Sequence, residues 1–376
     1  MEVYLDNAAT TRVCTEAADI AYKVMTECYG NPSSTHTKGR EAKTYLDAAR
    51  AQIAKALGCA VTEVYFTSCG SESDVWAITK GAESMSRRGK HIISSAVEHD
   101  AVRKTLADLE SRGYEVTYLK PEQDGSISVQ AVKTALRSDT VLVTLMMVNN
   151  ETGGVTDIAG IAKMLKAEGS KALLHTDAVQ GFMKLPFSAK KLGADMISIS
   201  GHKIHAPKGI GALYIKTGVK IKPLIHGGAQ ESSLRAGTEA MPQIAAFGKA
   251  AEIAFAGMKE NCEKIAKLRE SAASAICAEM PEAVIIGGGA PHILSVSLPG
   301  WRSEVLMNFL EAKGIFVSRS SACKKGGRSH VLEAMGLPAP IIDGAIRISF
   351  SRMNTQSDVD ALVSALKEAH DTLAHR

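Results

Sequence analysis

Two residues in the middle of the chain, Asp177 and Lys203, have the types and the spacing of a site for a carbonyl cofactor. Lys203 ends the run 196–203, an apolar β-type stretch that stops in Ser-Gly-His-Lys, and a lysine at a strand end can form an imine. Taken alone, Lys203 could equally be a solvated surface lysine. Asp177 follows the apolar run 172–175, and a buried acid there needs a cationic partner such as a protonated pyridine nitrogen.

The spacing of this pair favours the cofactor interpretation. Asp177 precedes Lys203 by 26 residues, which is close to one crossover in a parallel sheet, so both side chains are expected at neighbouring strand ends. A Schiff-base lysine with an acid for the pyridinium nitrogen is typical of pyridoxal phosphate (PLP) binding. The sequence therefore predicts a PLP site.

Other polar clusters also follow predicted strands. The run 68–73 is a Gly/Ser turn that opens a helical stretch, where backbone N–H groups and hydroxyls can bind a phosphate, although ordinary capped turns have the same pattern. His99 lies in the cluster 97–100 and Asn150 in the cluster 148–154. Without context, a polar loop histidine is the ordinary interpretation of His99.

Composition excludes several classes of protein. The chain of 376 residues has a net charge of +4, 45% apolar and 22% charged residues, so neither nucleic acid nor a membrane is expected as a main partner. The seven cysteines are scattered and have no zinc spacing, so no metal site is predicted. Residues 1–6 lack the features of a signal peptide, and we expect a cytoplasmic protein with reduced thiols.

Strands and helices alternate through the first two thirds of the chain, which predicts an α/β fold with a mostly parallel sheet and a site at the carboxyl ends of its strands. The predicted strands are 64–67, 91–94, 141–148 and 172–175. The predicted helices are 42–57, ending at Gly58, a second between 156 and 169, capped by Thr156 or Asp157, and a long helical stretch from about 250 to 280.

Six motifs occur in an order typical of one family. They are Tyr4-Leu5-Asp6-Asn7-Ala8-Ala9-Thr10-Thr11, Gly30-Asn31-Pro32-Ser33-Ser34, Ser200-Gly201-His202-Lys203, Arg235-Ala236-Gly237-Thr238, Ser321-Ala322-Cys323 and Ile346-Arg347-Ile348-Ser349. The chain resembles, over nearly its whole length, the NifS-like cysteine desulfurases of the class V aminotransferase family, PLP fold type I. The resemblance implies a large PLP-binding domain (15–255) with a mostly parallel seven-stranded sheet covered by helices. It also implies a small α+β domain formed by 1–14 and 256–376.

The resemblance implies roles for the cofactor-binding residues. Lys203 matches the Schiff-base lysine, Asp177 the acid on the pyridine nitrogen, and His99 the imidazole stacked on the ring, with a part in proton transfer. The remaining implied contacts are made by Asn150 and Gln180, which bind cofactor or substrate, and by a phosphate cradle of Gly70, Ser71, Ser200 and His202.

Three further residues match functional positions. Arg347 matches the arginine that binds the substrate carboxylate, and Thr238 matches the threonine that reaches the phosphate in the neighbouring subunit, which implies a homodimer. Cys323 lies in a small-residue run with basic neighbours, which favour the thiolate. In the family this cysteine accepts sulfur as a persulfide.

The implied activity is conversion of L-cysteine to L-alanine, with sulfur passed from Cys323 to an acceptor protein for iron–sulfur cluster assembly or tRNA thiolation. A selenocysteine lyase or a class V transaminase on the same fold stays open, and so does a non-enzymatic sulfur-relay protein. Two departures from the family pattern concern the site: the loop after Cys323 is about two residues shorter than in many relatives, and Cys69 stands where glycine is common.

Overall fold

The computed structural model describes residues 2–319 and 327–373, and the helices and strands named below belong to that part of the chain. The strands are β1 Val3–Tyr4, β2 Val64–Thr67, β3 His91–Ser95, β4 Glu115–Leu119, β5 Thr140–Met146, β6 Leu173–Asp177, β7 Met196–Ser200, β8 Gly211–Ile215, β9 Val284–Ile286, β10 Ile293–Ser297, β11 Ile315–Phe316, β12 Ser318–Arg319 and β13 Ala345–Ser349. The α-helices are α1 Thr15–Thr26, α2 Thr37–Leu57, α3 Gly70–Ser84, α4 Asp100–Ser111, α5 Val129–Ala135, α6 Ile158–Ala167, α7 Ala189–Leu192, α8 Met241–Ala256, α9 Met258–Glu279, α10 Ser303–Ala312, α11 His330–Ala334, α12 Ala339–Asp343 and α13 Gln356–Thr372.

A seven-stranded sheet forms the centre of the larger part of the molecule, with the strand order β2-β8-β7-β6-β5-β3-β4. The pairs from β7 to β4 are all parallel, whereas β8 runs antiparallel to both of its neighbours. The α/β fold with a mostly parallel sheet, predicted from the sequence, is confirmed.

Both faces of this sheet are covered, as a parallel sheet requires. All seven residues of β5 are buried, and successive side chains point to opposite faces. Val143 belongs to the core that includes Ile53 of α2 and Phe247 of α8. Leu142 belongs to a second core that includes Trp76 of α3.

A smaller sheet, with the antiparallel order β12-β13-β10-β9, has its own core. The N-terminal strand β1 pairs with β11, and Val3 and Leu5 lie in the same core as Ile276 and Phe350. The assignment of 1–14 and 256–376 to one small domain stays a prediction, but these contacts agree with it.

The predicted helices have local causes. Helix α2 ends at Gly58, whose φ of 64° lies in the left-handed region that glycine adopts without a steric penalty. At the start of α6, the carboxylate of Asp157 accepts a hydrogen bond from the Gly160 N–H at 2.8 Å, so Asp157 rather than Thr156 is the cap. The single long helical stretch predicted from about 250 to 280 is two helices in the structure. Helix α8 begins earlier, at Met241, and Gly257 separates it from α9.

The parallel strands bring their carboxyl ends to one edge of the central sheet, where the loops that follow β2, β3, β5, β6 and β7 meet. Among the helices of residues 2–319 and 327–373, none combines the length and apolar composition that a membrane crossing requires.

Candidate active site

A pocket of about 350 Å³ lies at this edge. It brings together ten of the residues singled out from the sequence: Gly70, Ser71, His99, Asn150, Asp177, Gln180, Ser200, His202, Lys203 and Arg347. The convergence of nine of them was expected from their positions after predicted strands, and that of Arg347 only from the family resemblance. The individual roles of all ten stay predictions.

Lys203 ends a single 3-10 turn, Gly201–Lys203, directly after β7. Its Nζ donates hydrogen bonds to the carbonyl oxygens of Ala8 at 2.6 Å and Ala9 at 2.7 Å. Burial, together with the positive charge of Arg347, lowers the pKa of Lys203 to about 8, while Asp177 and Asp6 act in the opposite direction. At pH 7 about a tenth of the molecules of a lysine with this pKa are uncharged, far more than for an ordinary lysine, and the uncharged amine is the form that attacks a carbonyl.

Asp177 is the last residue of β6 and is buried. Its Oδ1 accepts a hydrogen bond from the Val179 N–H at 2.8 Å. Burial raises the pKa of Asp177, and the neighbouring His99 and Lys203 oppose that rise. An acid in this environment is stabilised in its charged form by a cation in the pocket, which is what a protonated pyridine nitrogen supplies.

His99 is the N-cap of α4, where its Nδ1 accepts a hydrogen bond from the Ala101 N–H at 3.1 Å. This contact orients the imidazole at the pocket wall. Because the hydrogen bond is made at the edge of the His99 ring, the face of the ring is left for stacking on another ring.

The phosphate-binding turn predicted at the start of α3 has the required shape. A Cβ on Gly70 would lie 2.7 Å from Val179 Cγ2 and 3.4 Å from Ser200 Cβ, so only glycine lets this backbone lie so close to its neighbours. The Ser200 Oγ is buried and has no hydrogen-bond partner among the described residues. Burial lowers the pKa of His202 to about 4, so its ring is neutral and can donate from one nitrogen. These groups fit the phosphate of PLP.

Arg347 lies in β13 and reaches the pocket from the smaller sheet. Its side chain is 3% exposed, and its two terminal nitrogens donate to the Asn150 carbonyl at 2.8 Å and to Asp6 Oδ1 at 2.9 Å. Its buried Nε has no partner within the described ranges. The guanidinium is therefore held in one orientation, and its remaining N–H groups, among them that of Nε, leave more than one donor for a carboxylate.

Three acids in the pocket wall were missed from the sequence. Burial raises the pKa of Glu98 to about 8 and that of Glu151 to about 7. Burial, with the charge of Asp177, raises the pKa of Asp74 well above its ordinary range. Glu98 and Glu151 each adjoin a residue that was singled out, but nothing local indicates that an acid will be buried.

Thr238 does not line this pocket. It lines a separate cavity of about 70 Å³ with Ser68 and Arg235, and Arg235 forms an ion pair with Glu72 at 2.8 Å. Its predicted role concerns a neighbouring subunit's site, so that role stays a prediction.

Cys323 lies outside the described residues. The residues on either side of that segment are close together: the Arg319 guanidinium donates a hydrogen bond from Nη2 to the Gly327 carbonyl oxygen at 3.3 Å. Arg328 and His330, which follow the segment, line the pocket.

Comparison with known proteins identifies the family. A profile of the family described as aminotransferase class-V matches residues 3–362. The cysteine desulfurase IscS of Methanosarcina thermophila is 43% identical over 97% of this chain and 91% of that protein. A solved structure of a NifS-like protein has a TM-score of 0.94 at 38% identity, covering 99% of this chain and 100% of that one. The structure of SspA in complex with cysteine has a TM-score of 0.83 at 34% identity, covering 94% and 99%. The chain belongs to the class-V aminotransferase family, among its NifS-like cysteine desulfurases.

Proposed function

We propose that this chain is a PLP-dependent cysteine desulfurase, which converts L-cysteine to L-alanine and transfers the sulfur to Cys323 as a persulfide. The observation that supports this most is the convergence of Lys203, Asp177 and Arg347 on one pocket. An amine, an acid and a fixed guanidinium are the groups that an amino-acid reaction on PLP needs. Curated relatives with this name, at about 40% identity, support the same activity.

Lys203 would hold PLP through its amine, Asp177 would contact the ring nitrogen and His99 the ring face. Gly70, Ser71, Ser200 and His202 would bind the phosphate, and Gln180 would complete the polar contacts. When bound, PLP supplies an electron sink that stabilises negative charge at the substrate Cα.

Arg347 would bind the carboxylate of L-cysteine, with Asn150 beside it, and so orient the Cα–H bond toward Lys203. The Lys203 amine would take the Cα proton, a task that suits its lowered pKa. His99 assists proton transfer at the pocket wall.

Cys323 would receive the sulfur. Its thiolate would attack the substrate sulfur, so that an S–S bond forms as the Cβ–S bond breaks. Cβ then gains a proton and Lys203 returns the proton to Cα, which gives alanine. The basic residues that follow Cys323 in the sequence, Lys324, Lys325 and Arg328, would favour the thiolate. The Cys323 persulfide then passes its outer sulfur to an acceptor protein that serves iron–sulfur cluster assembly or tRNA thiolation.

The partners that we propose are L-cysteine, this acceptor and a second copy of the chain, whose Thr238 would reach the phosphate of its neighbour. The relative SspA, solved with cysteine, supports the choice of substrate. We propose that the protein acts in the cytoplasm.

The activity is tested by incubating the PLP-loaded protein with L-cysteine and a thiol reductant and measuring alanine and sulfide. We expect equal amounts of both products from the native protein. Replacing Cys323 with serine should lower their formation roughly 100-fold or more, because the nucleophile is lost. Cys277→Ser, a partly buried cysteine in α9, serves as the control and should retain activity.

Each alternative has its own outcome. Full activity of Cys323→Ser would refute the role of Cys323. Alanine formed from selenocysteine alone would indicate a selenocysteine lyase, and a keto acid in place of alanine a transaminase. A native protein that forms none of these products would be a sulfur relay without turnover.

A further inference from the structure

Lys184, in the turn after β6, is a buried lysine that the proposed reaction does not use. Its side chain is 7% exposed, and its Nζ lies 3.4 Å from Gln180 Oε1. Within residues 2–319 and 327–373, no carboxylate forms an ion pair with it. A charged ammonium buried without an acid is costly, so the uncharged amine is favoured here.

The surroundings of Lys184 add to this preference, because they are rich in basic groups. Burial, together with the charges of Lys203 and Arg347, lowers its pKa to about 7. Lys184 and Lys203 also line the same small cavity, of about 30 Å³, between the core that contains Phe247 and the core of the smaller sheet. The titratable groups facing Lys184 from the adjoining elements are Lys203, Arg347, His202, His205, His292, Arg352 and Cys262.

Gln180 is the group that Lys184 contacts, and both polar atoms of its side chain are engaged. Its Oε1 accepts from Lys184 Nζ and from His292 Nε2, the latter at 3.3 Å. Its Nε2 donates to the Ala8 carbonyl at 2.8 Å. Two donors on one oxygen determine which end of the amide faces Ala8.

The Ala8 carbonyl joins this network to the Schiff-base lysine, because it also accepts from Lys203 Nζ at 2.6 Å. An unbroken set of contacts therefore runs from Lys184 through Gln180 and Ala8 to Lys203. Neither Met nor Leu at position 184 could donate to Gln180, and arginine would bring a permanent charge.

We propose that Lys184 is a positioning residue that, in its uncharged form, holds Gln180 against the Ala8 carbonyl and thereby orients the amine of Lys203. The effect of Lys184 on catalysis rests on the proposed desulfurase function. The protonation state of Lys184 and its hydrogen-bond network do not depend on that function, so they can be tested separately.

The first experiment uses the cofactor-free protein and follows the pH dependence of Lys203 acetylation by acetic anhydride, measured by mass spectrometry. In the native protein we expect half-titration of Lys203 near its lowered pKa of about 8. Lys184→Met should leave this value nearly unchanged, because an uncharged amine is replaced by an uncharged chain. Lys184→Arg should lower it by about one unit or more, because it introduces a charge. Lys190→Met, an exposed lysine nearby, is the control.

If Lys184 is charged, the opposite pattern is expected. Lys184→Met would then raise the pH of half-titration of Lys203 by about one unit, and Lys184→Arg would leave it unchanged. That result would overturn the proposal. So would an unchanged value in both variants, which would mean that position 184 does not influence Lys203.

The second experiment tests positioning in the PLP-loaded enzyme. Lys184→Met should lower kcat about tenfold with little change in KM for L-cysteine, and Lys184→Gln, an uncharged donor, should restore part of the loss. A Lys184→Met enzyme as active as Lys190→Met would refute the positioning role. An inactive native protein would refute the proposed function instead, and the acetylation result would still stand.

Discussion

Replacing Glu98 with glutamine should remove a pH dependence from the stability of this protein. Glu98 is 1% exposed. Its Oε1 accepts hydrogen bonds from Ser95 Oγ at 2.5 Å and from the Met146 N–H at 3.1 Å, whereas its buried Oε2 has no partner in the described part of the chain. Burial, with a smaller contribution from the charge of Asp177, raises the pKa of this carboxyl from 4.5 to about 8, although its two hydrogen bonds act in the opposite direction.

The size of the effect follows from these two values. Between about pH 4.5 and 8 the unfolded chain has lost the Glu98 proton, while the folded protein keeps it. The unfolded state then binds fewer protons than the native state, so the free energy of unfolding falls as pH rises, by about 1.4 kcal/mol per unit. Over the whole interval this contribution amounts to about 5 kcal/mol, and at pH 7 to about 3 kcal/mol. Glutamine does not titrate and lacks this slope.

The assay is chemical unfolding of the cofactor-free native protein and of Glu98→Gln at several pH values between about 5 and 8. The free energy of unfolding of the variant minus that of the native protein should increase with pH by about 1.4 kcal/mol per unit, and by less close to pH 8. Glu122→Gln, at an exposed acid, is the control and should show no such trend. Parallel pH profiles for Glu98→Gln and the native protein would refute the reasoning, because they would mean that Glu98 ionises in the folded state as it does in the unfolded chain.

Two further substitutions test the pocket. Asp177→Asn removes the charge that we propose faces the pyridine nitrogen, and we expect turnover of L-cysteine to fall roughly 100-fold or more while the cofactor absorbance is retained. Unchanged turnover would show that the ring nitrogen does not depend on this acid. Arg347→Lys keeps the charge but loses the planar pair of donors. KM for L-cysteine should therefore rise roughly 10- to 100-fold with a smaller change in kcat. An effect on kcat alone would argue against carboxylate binding by Arg347.

Much of the fold could be predicted because its signals are local. The strand predicted from Val64 to Thr67 and the helix end predicted at Gly58 depend only on neighbouring residues. The structure has a strand and a helix end at these positions. The predicted proximity of Asp177 and Lys203 needed just one further rule, the parallel crossover between strands. The antiparallel direction of β8 was not predicted, because a strand's direction is not encoded in its own residues.

The groups that set the electrostatics of the pocket had no comparable signal. Lys184 and Glu98 are of types that usually face solvent, and only burial between elements distant in sequence lowers the pKa of one and raises that of the other. The carbonyl that holds Lys203 comes from Ala8, and no periodicity relates two residues so far apart in the chain.

By itself, the sequence determined which side chains could react and at which strand ends they would stand, since both follow from residue type and from the alternation of strands and helices. The tertiary structure alone decided how those groups ionise and which way they point. Desolvation and hydrogen bonding are sums over all the atoms that folding brings near a group. For Lys203 those atoms include the carbonyl oxygens of the N-terminal segment and the charged groups of Asp177 and Arg347.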